Sequence, residues 1–142
     1  MIRLTQSQRA RLLANGRMPD ADHIPVVTFF NPFGQSTWLA TEIDEGGDIL
    51  FGLADLGYPE LGSWSLSETA AIRLPFGMGI ERDLQFAGRY PISVRAEAAR
   101  AEGSISAAER ELFARPQGEG DACSDQAGTR ALQISLRKPG LR

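Results

Sequence analysis

A chain of 142 residues, 42 % apolar and 23 % charged, holds enough material for one domain with a real core and too little for two of ordinary size. That balance excludes a disordered or fibrous chain, and no apolar run reaches the roughly eighteen residues of a membrane-spanning helix. A single cysteine, Cys123, and a single histidine, His23, exclude an internal disulfide and a multi-histidine metal site.

The first residues, Met1-Ile2-Arg3-Leu4-Thr5-Gln6, lack the apolar core of a signal peptide, so a cytoplasmic location is expected. Fourteen arginines stand against one lysine, Lys138, amid abundant alanine, which suggests a bacterial genome of high GC content. The net charge of −3 conceals an asymmetry. Nine acidic residues and no lysine or arginine lie between Arg17 and Arg73, whereas residues 73 to 100 carry Arg73, Arg82, Arg89, Arg95 and Arg100 against Glu81, Asp83 and Glu97. Acidic and basic elements that neutralise one another across the fold explain this, as does an acidic surface meeting a basic partner.

In chain order, Thr5 and Gln8 stand at the spacing of a capping box and Gly16 follows as a stop, predicting a helix over 5–15 anchored by Leu4, Leu12 and Leu13. Pro25 opens a strand whose residues 26–30 are apolar on both faces, the mark of an interior strand. A turn at 31–35 leads into the strand containing Trp38, where strict alternation puts Leu39, Thr41 and Ile43 on one face and Trp38, Ala40 and Glu42 on the other. Glu45-Gly46-Gly47-Asp48 supplies the turn into a third strand over 49–54, where Gly52 signals a bulge or a close approach.

After a loop at 55–60, Leu61 to Trp64 adds a short strand, and Ser65-Leu66-Ser67-Glu68 caps a helix running to about Arg73, ended by Pro75 and Gly77. Residues 81–86 alternate as a further strand with Leu84 and Phe86 inward. Alanines at 96, 98, 99 and 101 favour a helix from Ser93 to Glu102, stopped by Gly103, and Ser106-Ala107-Ala108-Glu109 caps another ending near Ala114. From Pro116 the composition turns to Gly, Gln, Asp and Ser, the signature of a flexible linker. Residues 131–137 alternate again, with Leu132, Ile134 and Leu136 on one side, and suit an edge strand. The expectation is an α+β domain over 1–115, an antiparallel sheet of four to six strands with helices packed on one side, followed by a tail over 116–142.

Three stretches carry a resemblance: Thr37-Trp38-Leu39-Ala40-Thr41-Glu42; Phe51 to Gly57 running into Pro59-Glu60-Leu61-Gly62; and Ile80-Glu81-Arg82-Asp83-Leu84 with Phe86. In order and spacing they resemble a bacterial domain-of-unknown-function family, number 2958, over roughly residues 4 to 105. The resemblance implies no activity, cofactor or site residue. It implies only a setting on bacterial chromosomes and mobile elements.

The candidate site gathers Trp38, Glu42, Asp55, Glu60, Arg82 and Asp83, on the premise that Trp38 and Glu42 share a sheet face and strand ends bring Asp55 and Glu60 beside them. Carboxylates in one cleft hold magnesium or divide acid and base roles, whereas Trp38 in the core, Asp55 and Glu60 in turns and Arg82 in an ion pair is the purely structural account. Nothing supports nucleophilic catalysis: Cys123 lies in the linker, Gly77-Met78-Gly79 lacks the Lys-Ser or Lys-Thr of a phosphate loop, and no Gly-x-Ser-x-Gly elbow occurs. Asp20-x-Asp22-His23 is either a weak metal ligand set or a surface loop. No catalytic set, cofactor or metal is assigned. The leading expectation is a non-catalytic binding or regulatory module whose acidic, aromatic-bearing sheet face recruits a basic protein partner. Two alternatives stay open: DNA contact through the arginines of 73–100, and a carboxylate- and metal-dependent enzyme.

Overall fold

The computed structural model describes residues 2–114 apart from residue 87. Helix α1 (Gln6–Gly16) begins as the sequence dictates: the Gln8 N–H donates to the Thr5 hydroxyl oxygen, and the Thr5 N–H donates back to the Gln8 side chain. Strands β1 (Val27–Phe30), β2 (Thr37–Ile43), β3 (Ile49–Asp55) and β4 (Pro59–Ser65) follow as an antiparallel meander. Then come α2 (Leu66–Ala70), β5 (Glu81–Arg82), α3 (Ile92–Glu102) and α4 (Ile105–Ala114), with one 3₁₀ turn at Pro75–Gly77. Among the described residues the sheet has five strands in the order β4-β3-β2-β1-β5, all pairs antiparallel, which is the expected α+β class.

Helices cover both faces of this sheet, not one. Leu4, Leu12 and Leu13 of the α1 region pack with Val27, Phe29, Trp38, Ala40, Ile43 and Leu50 on one face. On the other, Leu39, Phe51, Leu53 and Leu61 pack against Ile92, Ala96 and Ala99 of α3 and Ile105 and Ala108 of α4. Burial on both faces has a direct counterpart in β2, which is buried at every one of its positions. The return from β4 to β5 runs over the α1 face, where Leu66, Leu74 and Ile80 join the cluster.

A bulge in β2 changes which residues share a face. The register shifts between Ala40 and Glu42, so Glu42 pairs with Phe51 and Ile43 with Leu50. Ile43 therefore joins Trp38 and Ala40 on the α1 face, and Glu42 turns to the side of Leu39. Thr41 is the extra residue. Its carbonyl accepts from Asn15 of α1 and its hydroxyl donates to the Phe51 carbonyl. Gly16 also lies against β2, since a Cβ there would sit 2.6 Å from the Ile43 carbonyl oxygen. Its role is close approach of helix to strand, and the residue after it, Arg17, stays right-handed.

Three further expectations need correction. Strand β5 is only two residues long, because the Asp83 carboxylate accepts from the Gln85 N–H and turns the chain, leaving Leu84 79 % exposed while Phe86 packs on the α3 side. Helix α2 ends at Ala70, three residues early, since Leu74 must be extended ahead of Pro75. Helix α4 starts at Ile105, with the Ala107 N–H donating to Ser104, so Ser106 lies inside the helix instead of capping it. The suggested strand at 131–137 and the linker before it lie outside the described residues.

Candidate functional site

Much of the acidic excess is used inside the fold. The Asp44 carboxylate accepts from the Asp48 and Ile49 N–H groups and closes the β2–β3 turn; these bonds, that of Ile49 first, hold its pKa below the ordinary value. Asp48 accepts from the Ser65 hydroxyl and the Ser67 N–H at the start of α2, and the Ser65 bond is the larger reason its pKa is lowered too. Asp22 accepts from the Ser93 N–H and hydroxyl at the start of α3, while the His23 carbonyl accepts from the Ile92 N–H. The Asp-x-Asp-His stretch is thus engaged as a remote helix cap.

Asp55 plays the same part for α4. It is 4 % exposed, and one carboxylate oxygen accepts from the Ile105 N–H at 3.0 Å while the other accepts from the Gly57 N–H at 3.1 Å. One side chain thereby fixes both a helix N-terminus and the β3–β4 turn. Asp55→Ala strands these donors, and a loss of about 2–3 kcal/mol is expected in urea unfolding, against less than about 0.5 kcal/mol for Glu60→Gln on the surface. Equal effects for the two variants would refute this role.

The candidate residues separate as follows. Trp38 lies on the α1 face, and Glu60, which shares Ala54 as a cross-strand neighbour with it, lies there as well. Glu42 and Asp55 face the other side. Arg82 sits beyond β1, where its guanidinium donates to Gln8 of α1 at 2.9 Å with its Nε buried and unpartnered; Asp83 makes the turn after it. The carboxylates of Glu42, Asp55 and Glu60 do not converge, and no group of three or more His, Cys, Asp or Glu suited to a metal occurs among the described residues. Among the arginines of 73–100, Arg89 and Arg95 both lie over the Phe113 ring. Arg95 is buried, donating to the Arg89 carbonyl and to Glu109 and lying over the rings of Phe86 and Phe113; burial pushes its pKa down, partly offset by Glu109.

What the fold does assemble is an aromatic groove along β4. Trp38, Ala54, Leu56, Tyr58 and Trp64 line it, and Glu60 is the charged residue among the lining; the cavity measures about 200 Å³. Trp38 and Trp64 also belong to the α1-face cluster, so the groove is the open margin of the core. Leu56 and Tyr58 are well exposed on either side of Gly57, in the turn that Asp55 holds. Their signal was present in the sequence as two large apolar side chains within a tight turn, where polar residues are the rule.

Residues 3–106 match the family model for a protein of unknown function, DUF2958. The chain belongs to this family. The match includes every strand of the sheet, the groove and helix α3, and it ends within α4. No match was found among curated proteins or among solved structures. No helix among the described residues is long and apolar enough to cross a membrane.

Proposed function

We propose that this domain is a non-catalytic binding module that takes a basic segment of a protein partner in the β4 groove. The observation that carries the reading is the conjunction of Trp38, Tyr58, Trp64 and exposed Leu56 with Glu60 in one open hollow. A lysine or arginine side chain suits such a lining: its methylene stem covers aromatic surface while its charge meets the ring faces and a carboxylate. Aromatic anchors at the centre of a contact supply most of its energy, and acids near by favour encounter with a basic partner. Glu60 supplies the charge in the groove itself, while Asp22, Asp44, Asp48 and Asp55 accept hydrogen bonds from backbone N–H groups elsewhere.

The test uses arrays of short arginine- or lysine-containing peptides and acidic counterparts, with tryptophan fluorescence as the readout. Basic peptides are expected to bind, with affinity reduced about tenfold by Tyr58→Ala and a smaller loss, with less salt dependence, in Glu60→Gln. Equal binding of basic and acidic peptides would refute the reading. So would duplex DNA binding that is lost in Arg82→Ala/Arg89→Ala and kept in Glu60→Gln.

A further inference from the structure

Strand β4 lies at an edge: among the described residues no strand lies beyond it in the sheet. The register fixes which of its main-chain groups face outward. The Leu66 N–H donates to the Asp48 carbonyl, and the ladder continues from that pair as Ser65–Ile49, Trp64–Leu50, Ser63–Phe51 and Gly62–Gly52. Main-chain groups of alternate residues on an antiparallel strand point to the same neighbour, so Glu60, Gly62 and Trp64 turn theirs to β3, and Pro59, Leu61 and Ser63 turn theirs away from it. Pro59, which has no N–H to offer, suits a place in that outward set. Sheet edges are ordinarily blunted by charge, proline or a covering element, whereas Leu61 to Ser65 carries no charged side chain and Ser63 is exposed. A row of outward N–H and C=O groups is complemented by one thing above all, the main chain of another extended segment.

The groove runs along this same strand. Glu60, Gly62 and Trp64 alternate along one face of β4 and all line it, and Leu61 borders it too although its side chain packs on the α3 side. At the middle of that face Gly62 leaves open space, since a Cβ there meets nothing within 4 Å. From these features we infer that the partner segment docks as an added β-strand, its main chain pairing antiparallel with Leu61 and Ser63 and a lysine or arginine opposite Gly62 reaching into the groove. This rests on the proposed binding of a basic segment and adds the conformation in which that segment is held. The place opposite Gly62 is a non-hydrogen-bonded one in the outer ladder, where facing Cα atoms stand only about 4.5 Å apart and side chains are closest. The incoming side chain therefore lies over the glycine, with Trp64 and Glu60 on either side of it along the strand. Main-chain bonds to the edge give affinity for an extended segment, and the groove gives the preference for a cation.

The probe is the lysine-centred peptide that binds tightest in the fluorescence array, prepared with N-methyl groups at alternate main-chain positions and titrated into the full chain. Methylating the two residues that flank the lysine removes the N–H groups aimed at Leu61 and Ser63 and is expected to weaken binding by about tenfold or more. Methylating the main-chain nitrogen of the lysine itself, which faces away from β4, is expected to change binding by less than about threefold. A peptide that tolerates methylation at every position, or is weakened equally at all of them, leaves the binding function standing and overturns strand addition. A protein that binds no basic peptide overturns both. Ser63→Pro removes an outward N–H that pairs with no described residue, so the variant is expected to melt close to the parent and to bind the unmethylated peptide about tenfold more weakly. A folded Ser63→Pro protein with the parent's affinity overturns the inference. Dimerisation of the peptide-free parent that Ser63→Pro abolishes would assign the edge to a second copy of the chain and overturn it as well.

Discussion

Gly52→Ala is expected to destabilise the fold severely and to shift urea unfolding to a much lower denaturant concentration. A Cβ at Gly52 would lie 1.8 Å from the Leu39 carbonyl oxygen, 2.9 Å from its carbon and 3.1 Å from the Ala40 Cα. All three are backbone atoms of the neighbouring strand, so no side chain can rotate away. The strands would have to part at the bulge, where Asn15 and Phe51 hold Thr41 from both sides. A cost above about 4 kcal/mol follows for steric strain at such a site, a large fraction of the roughly 5–15 kcal/mol that stabilises a domain. Circular dichroism and urea titration measure it. Gly62→Ala is the control, since Gly62 pairs with Gly52 on the adjoining strand and a Cβ there meets nothing within 4 Å. If Gly52→Ala unfolds at the same urea concentration as Gly62→Ala, the close approach of β2 and β3 is wrong.

Phe51→Ala should lower stability by about 3–5 kcal/mol, through lost burial and the cavity left behind. Phe51 is 3 % exposed and packs with Leu39, Leu53, Ile92 and Ala96 where the sheet meets α3. Small alanines on α3 bring the helix close to the sheet and leave little freedom to close the gap, which places the cost towards the upper end of that range. Chemical unfolding with an unchanged denaturant slope would attribute the loss to the native core. Leu84→Ala provides the contrast and should change stability by less than about 0.5 kcal/mol, because Leu84 is exposed. Comparable losses in the two variants would place Leu84 inward, as alternation over 81–86 implies, and refute the two-residue β5.

Much of the local architecture was legible because its causes are local. The Thr5–Gln8 capping box, the cap of α2 at Ser65, the stop at Gly103 and the turn at 45–48 each depend on atoms a few residues apart. Gly52 was legible as a close approach, because a glycine amid apolar strand residues marks a point where a side chain would meet the neighbouring backbone. The candidate site was legible only in part. Trp38 and Glu60 do share a face, whereas Glu42 was displaced by a single inserted residue, Thr41, which reverses every side chain after it. Asp55 stood among the candidate binding residues, whereas its carboxylate accepts from the Ile105 N–H, fifty residues away in sequence.

The sequence by itself determined the α+β class, the order of most elements, the antiparallel sheet and the family resemblance, because periodicity, capping and turn chemistry act over a few residues and leave a direct pattern in the chain. Only the tertiary structure decided what the charges and aromatics do. The acids between Arg17 and Arg73 suit an exposed surface by composition, yet Asp22 and Asp55 cap α3 and α4 across the fold. The groove beside Trp38 combines residues far apart in sequence, and no local rule records such a meeting. Long-range contacts of this kind are selected by the packing of two helical layers on one sheet, in which a one-residue bulge or a turn two residues earlier decides whether a side chain faces core or solvent.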